Sequence, residues 1–307
     1  MTINRIVSFL PSATELIYEF GIQEKLYGVT HECKYPKDAL NKLRVISSIV
    51  DSDNMTSNEI DSITCQLLKE GKDIFILDEK NLINTNPELI ITQDTCEVCA
   101  AHTNQVNKAM EILENKPKTH SMDPHNLTEI LSSVKELGII LDLKEKADEI
   151  VNSLETRINK IKNIKKNSRP KVLGIEWIDP FFTAGHWVPE MVEIAGGENL
   201  VSKQGEPSRR LDFEEISSIN PEIIVLMPCG FDVKRIIIEY GNILKNNKEW
   251  TKLEAVKNKQ VFAVDANSYF SKPSIRTVTG LEILAKIIQS SEFGKINTPK
   301  DSFSRIQ

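Results

Sequence analysis

One segment of this chain occurs twice, and that constrains the fold more than any other feature. Leu77-Asp78, Leu82 and Asn86-Pro87-Glu88-Leu89-Ile90-Ile91 recur as Leu211-Asp212, Ile216 and Asn220-Pro221-Glu222-Ile223-Ile224-Val225. Every pair is offset by 134 positions, with no gap. Each copy reads as a short helix, a proline turn and a buried strand. The offset far exceeds the roughly 20–50 residues of a solenoid repeat. Two similar α/β lobes follow, and 307 residues have room for about two domains.

Local signals fill in the lobes. Ile3–Phe9 is an apolar, β-branched run broken by Pro11. Ser12 and Glu15 then have the spacing of a capping box for a helix that Gly21 closes. Leu26–Thr30, Asp73–Leu77 and Glu88–Thr92 follow as strands, with a helix from Ser57 carrying Ile60, Ile63, Leu67 and Leu68 on one stripe. A helical stretch without Pro or Gly runs from about Leu141 to Lys166. Its end, Arg157 to Lys171, holds seven bases and no acid, as suits a solvated helix C-terminus. Beyond Pro170 the alternation resumes with strands at Lys171–Glu176, Glu222–Met227 and Gln260–Val264. Helices are expected near Pro189–Ala195, from Asp232, and from Ser274 to Gln289. The predicted class is α/β with largely parallel sheets. The expected boundaries are a lobe at 1–140, a connecting helix at 141–168, a second lobe at 169–293 and a polar, poorly ordered tail at 294–307.

Composition excludes several functions. Forty-four acids against 38 bases give a net charge of −6, the wrong sign for a duplex nucleic-acid binder. No run approaches the ~18 apolar residues needed to span a bilayer. The opening residues lack the pattern of an export signal, so a cytoplasmic location is expected. Five cysteines, an odd number spread over a long chain, make no disulfide framework. Nucleophile-elbow, P-loop, zincin and dinucleotide fingerprints are all missing.

Chemistry collects just past the predicted strand ends, where open parallel sheets bind ligands. His31, Glu32 and Cys33 follow one strand. Gln93, Asp94, Cys96, Glu97, Cys99 and His102 follow another. The second lobe adds Glu176, Trp177, Asp179, His186 and Trp187, then Cys229 and Phe231, then Asp265, Asn267, Tyr269 and Phe270. Cys96 and Cys229 fall within one residue of equivalence under the 134 offset. Cys96-Glu97-Val98-Cys99 is a single CxxC. With Cys33, Cys229 or His31 it offers a soft site for zinc or an iron–sulfur cluster, or a redox pair; the bland reading is packing of strand-end loops. Trp177, Trp187, Phe181 and Phe182 suit either a flat apolar ligand or a core. Arg209 and Arg210 either grip carboxylates or carbonyls, or are solvated bases. Arg276 stands at a helix start. Ser12 occupies a nucleophile-like position that its capping role explains.

Residues Arg5-Ile6-Val7-Ser8-Phe9-Leu10-Pro11-Ser12-Ala13-Thr14-Glu15 resemble the opening of the class III substrate-binding proteins, which serve ABC importers of cobalamin, heme and iron–siderophores. The Asn-Pro-Glu-Leu-Ile-Ile segment and Val261–Val264 are similar to the same family, and the likeness extends from Arg5 to Gln289. Thr30-His31-Glu32-Cys33, Cys96-Glu97-Val98-Cys99, Ala184-Gly185-His186-Trp187-Val188-Pro189 and Met227-Pro228-Cys229-Gly230-Phe231-Asp232 resemble a leaderless subgroup labelled cobalamin-binding. The resemblance implies two Rossmann-like lobes joined by a long helix, with a ligand clasped between strand-end loops. Two departures weaken importer docking: no export signal, and Lys80 with Glu214 where importer-docking members place a Glu on each lobe, although Glu79 is adjacent.

The expected function is non-catalytic binding of a corrinoid or other metal chelate. Trp177, Trp187, Phe231 and Tyr269 would touch the macrocycle, and Arg209 and Arg210 its peripheral groups. His186, His31 or a thiolate would approach the metal, with Ser12, Glu32, Glu176 and Arg276 completing the ligand set. The alternative is a metal- or iron–sulfur-dependent enzyme using Cys33, Cys96, Cys99 and Cys229, with Glu97 or Glu176 as acid/base. The expected partners are the small chelate and ABC importer components, with no nucleic acid and no membrane-spanning segment.

Overall fold

A computed structural model describes residues 2–93 and 103–306. The elements of the first half are β1 (Ile6–Ser8), α1 (Pro11–Glu19), β2 (Leu26–Thr30), β3 (Leu43–Ser48), α2 (Ser57–Lys69), β4 (Phe75–Leu77), α3 (Glu79–Thr85), β5 (Leu89–Thr92), α4 (Thr103–Ile112), β6 (Lys118–Ser121), α5 (Leu127–Ile140) and α6 (Lys144–Lys162). Those of the second are β7 (Lys171–Ile178), β8 (Phe181–Thr183), α7 (Val188–Ile194), β9 (Glu198–Asn199), α8 (Phe213–Ile219), β10 (Ile223–Leu226), α9 (Val233–Ile243), α10 (Glu254–Lys257), β11 (Val261–Val264), α11 (Ala266–Tyr269), α12 (Thr277–Ile288), α13 (Ser290–Phe293) and β12 (Phe303–Ile306). Two compact units result. One comprises 1–55, 62–124 and 128–152; the other comprises 56–61, 125–127 and 153–307.

The first unit holds a six-stranded sheet in the order β4-β3-β2-β1-β5-β6, parallel except for the β3–β4 pair. Val7, Phe9, Val45, Ile46, Phe75, Leu82 and Ile90 pack into one apolar cluster there. The second unit holds the order β12-β11-β10-β7-β8, with β9 also on β7. β7, β9, β10 and β11 pair in parallel, while β8 and β12 add antiparallel edges. Its core gathers Leu173, Ile175, Ile224, Leu226, Phe231, Ile236 and Trp250. Both sheets are thus mixed, with the parallel strands predicted from sequence at their centres.

The duplicated segment has one backbone in both places. α3 and α8 carry the 134 offset at both ends, as do β5 and β10. Each helix closes on an Asn in the left-handed region, Asn86 at φ 41° and Asn220 at φ 44°, a conformation Asn tolerates better than most residues. The glutamate after the proline also has one task in both copies. Glu88 accepts from the Asn4 and Arg5 amides at 2.5 and 3.2 Å, and Glu222 accepts from the Lys171 amide at 2.9 Å. Asn-Pro-Glu is therefore a device that stops a helix, turns, and seats the next strand beside β1 or β7.

Two local expectations are corrected. Ser12 and Glu15 form no capping box: α1 starts two residues earlier, with Leu10 as N-cap and Pro11 in the first turn. The fixed φ of proline suits that position, and it leaves Ser12 with helical φ/ψ, unable to cap. The polar tail is also more than a tail, because Phe303–Ile306 pairs with β11 along its full length. The basic stretch after Arg157 is only partly a solvated helix end. Arg157 makes a two-pronged bond to Glu282 at 2.9 and 2.8 Å, and Lys166 Nζ donates to the Ile161 and Lys162 carbonyls that end α6.

Candidate functional site

In the first unit, β2 delivers His31, Glu32 and Cys33. His31 is pinned by its amide to the Ile46 carbonyl at 3.0 Å. Its ring lies 5.9 Å from that of Phe75, and its Nε2 is 3.6 Å from Glu32. Burial pushes the His31 pKa down, against the pull of the Glu32 charge. Cys33 is fully buried, with its Sγ accepting from the Thr14 hydroxyl at 3.1 Å and 3.4 Å from that of Thr30. Arg44 locks the turn by donating to the Thr30 and Cys33 carbonyls. Ser12 is also buried, and its Oγ has no hydrogen-bond partner among the described residues. Cys96 and Cys99, with Asp94, Glu97 and His102, lie outside the described residues.

In the second unit, β7 delivers Glu176 and Trp177. Glu176 accepts from the Gly185 amide at 3.1 Å and from the Ser208 side chain; burial nevertheless raises its pKa. Trp177 donates its indole N–H to the Ser57 carbonyl at 3.1 Å and meets Phe231 edge-on at 5.5 Å. Gly185 is required here, because a Cβ would come within 2.4 Å of the Ser208 amide. His186 follows at φ 53°, held by its amide to the Glu206 carbonyl and by the Gly205 amide to its own carbonyl, at 2.7 and 2.9 Å. Its ring stacks on Trp187 at 5.6 Å, and Trp187 in turn donates to the Phe270 carbonyl at 3.0 Å.

The remaining candidates fall into three groups. Trp187 and Phe231 are buried core residues, and the Arg235 guanidinium covers one face of Phe231 at 3.6 Å. Arg209 and Arg210 engage carboxylates of the chain: Arg209 makes a two-pronged bond to Glu215 at 3.0 and 2.5 Å, and Arg210 one to Asp61 at 3.2 and 3.0 Å. Trp177 near the end of β7, Tyr269 at the end of α11, and His186, Arg276 and Cys229 on loops are all half-buried. Arg276 lies 5.7 Å over the Tyr269 ring, and the Cys229 amide bonds to the Glu176 carbonyl at 3.1 Å. Cys33, Cys65 and Cys229 form no disulfide among the described residues. Among the described residues no group of three or more His, Cys, Asp or Glu is placed to hold a metal ion.

Sequence reasoning missed His125. It stands just past the end of β6, whose Lys-Thr-His-Ser run is mostly exposed and shows no apolar signal. Asp123-Pro124 was the available cue, since it marks a turn. The structure sets the His125 ring 5.8 Å from that of His186.

Two α/β units, each with polar and aromatic side chains beyond the carboxyl ends of a parallel-centred sheet, define the class of two-lobed α/β binding proteins. The sequence profile of the periplasmic binding proteins matches residues 6–268, and the chain belongs to that family. It is 23% identical over 297 residues to an uncharacterised ABC transporter substrate-binding lipoprotein, YvrC, of Bacillus subtilis, covering 94% of this chain and 81% of that one. Its fold is similar to a periplasmic heme-binding protein from Pseudomonas aeruginosa, with a TM-score of 0.73, 16% identity and coverage of 99% and 98%. It is likewise similar to the periplasmic vitamin B12 binding protein BtuF of Vibrio cholerae, with a TM-score of 0.67, 20% identity and coverage of 94% and 98%.

These findings correct the cytoplasmic expectation. The family is periplasmic and the Bacillus relative is a lipoprotein, so the chain's relatives work outside the cytoplasm. An unremarkable N-terminal sequence carried too little information to place the protein. The enzyme alternative finds no support in the family, and neither zinc nor an iron–sulfur cluster is shown. No helix among the described residues is long and apolar enough to cross a membrane.

Proposed function

We propose that this chain is the substrate-binding protein of an ABC importer and that its ligand is a metal chelate, specifically a corrinoid. The observation that carries the reading is the clustering of half-buried aromatic and imidazole groups at and just past the strand ends of a periplasmic binding protein. Trp177 and Tyr269 present flat apolar faces, Arg276 a planar cation for peripheral amides or carboxylates, and His186 an imidazole nitrogen for the metal. Trp187 and Phe231 support this surface from beneath. Glu176, Arg209 and Arg210 hold the loops through the bonds described above, and His31, Glu32 and Ser12 line the corresponding strand ends of the first unit. Relatives of this fold that bind heme and vitamin B12 support the chelate class.

The test is titration of the purified protein with cyanocobalamin, cobinamide and hemin, followed by absorbance and calorimetry. A corrinoid dissociation constant below about 1 μM, or roughly −8 kcal/mol, is the expected result. Hemin binding without corrinoid binding overturns the corrinoid assignment and keeps the chelate class. No binding of any of the three overturns both. Trp177→Ala should weaken the corrinoid at least about tenfold, in the range of an interface anchor, while the fold remains intact by circular dichroism.

A further inference from the structure

We infer that His125 and His186 together form a binding site for a free borderline transition-metal ion such as Zn²⁺ or Co²⁺, independent of any chelate. This does not rest on the proposed function. Both residues belong to the second unit, and their rings lie 5.8 Å apart at 34°.

The distance suits a shared ion. Metal–nitrogen bonds of about 2.0–2.1 Å put each ring centre roughly 3.2 Å from the metal. Two imidazoles on one ion then have centres about 5.2 Å apart at a tetrahedral angle and about 6.4 Å apart at a linear one. Packed aromatic pairs also span about 4.5–7 Å, so the backbone has to distinguish the two cases. His186 is held in the left-handed region by two hydrogen bonds, next to a glycine that no other residue can replace without a backbone clash. Mere packing needs no such conformation, and residues fixed in sparsely populated backbone regions gather at ligand clamps. The chain that carries the opposite ring is anchored separately: the Leu127 amide, two residues after His125, donates to Glu190 of α7 at 2.9 Å. Two rings carried on separately anchored segments can receive a third body. Neutral imidazole is the commonest metal ligand, and it selects borderline ions over Mg²⁺ or Ca²⁺. With two imidazoles as the assigned ligands, modest, exchangeable binding is expected.

The experiment is titration of the whole protein with Co²⁺ and Zn²⁺ at neutral pH, read by calorimetry and by the visible Co²⁺ spectrum. Wild type should bind one equivalent with micromolar affinity and show no sulfur-to-cobalt charge-transfer band. His125→Gln and His186→Asn should each weaken binding roughly tenfold or more, a loss that even outer partners of a metal can cause, and the double variant should abolish it. Asn is chosen at 186 because it tolerates the left-handed backbone, and a melting curve confirms that each variant folds. The inference is overturned if wild type binds neither ion below millimolar concentration. It is also overturned if the double variant keeps wild-type affinity, or if the Co²⁺ spectrum shows thiolate ligation that survives both substitutions.

Discussion

The loop after β2 in the first unit and the segment from the end of β7 past β8 in the second both carry candidate ligand residues, yet they are built differently. The first closes on itself: Cys33 is buried against two threonine hydroxyls, and Arg44 clamps two carbonyls of the turn. The second is propped open by rings. Trp177 leans on Phe231, His186 on Trp187, and the half-buried Glu176 carboxylate accepts from the Gly185 amide. Under this contrast lies a duplicated helix-turn-strand whose two copies share end points, left-handed Asn caps and the use of a glutamate. Duplication preserved the part that builds a sheet. Divergence fell on the loops, where ligand chemistry is set.

Substitutions can break this comparison, and the largest effect is expected at the ring support. Phe231→Ala should destabilise the second unit by about 3–5 kcal/mol, the usual cost of emptying a large buried aromatic site, measured by urea unfolding. If it costs under ~1 kcal/mol, the rings do not rest on Phe231. Next, Asn86→Ala and Asn220→Ala should each cost about 1–2 kcal/mol, because alanine meets the full penalty of the left-handed region, whereas Gly at either place should be near neutral. Unequal losses would show that the two copies are alike in shape and not in energy.

The two loops should also respond to pH in opposite senses. The His31 pKa is lowered in the folded state, so its neutral form is the one that folds. Its contribution is present above the unfolded value of about 6.5 and is lost as pH falls through the folded value. His31→Asn should flatten that acid-side loss. The Glu176 pKa is raised, so its contribution is full below an unfolded value of about 4.3 and is lost as pH rises through the folded value. Glu176→Gln should therefore remove a decline in stability on the rising side. Melting temperature against pH for both variants checks each sign, and an unchanged profile would refute the corresponding assignment. The smallest effect is expected at Arg210→Ala. The Arg210 side of its bond to Asp61 is exposed, and the pair should contribute about 0–1 kcal/mol to stability. A large loss of stability would mark the bond as a structural strut of the loop.

The repeat was legible because both its signals are local: apolar strands with a period of their own, and turn residues whose backbone preferences hold in any context. The same reasoning located β2, β5, β7, β10 and β11 and the residues at their ends. It failed where a strand owes its existence to its neighbours. β6 has no apolar pattern and forms because β5 offers a parallel edge, and without β6 there was no strand end at which to look for His125. β12 likewise takes its place from β11. The capping box failed for the opposite reason, since Pro11 outcompeted Ser12 for the helix start.

Sequence by itself determined that this is a duplicated α/β chain of the periplasmic binding kind, with its chemistry at the strand ends. Tertiary structure alone decided how each of those side chains is used. Cys33 became a buried hydrogen-bonded thiol, Phe231 and Trp187 became supports, Arg209 and Arg210 were paired to carboxylates of the same chain, and His186 acquired a partner 61 residues before it in His125. The physical reason is range. Backbone preference and burial periodicity act over a few neighbouring residues, whereas ion pairs, ring contacts and desolvation depend on atoms that only folding brings within a few ångströms.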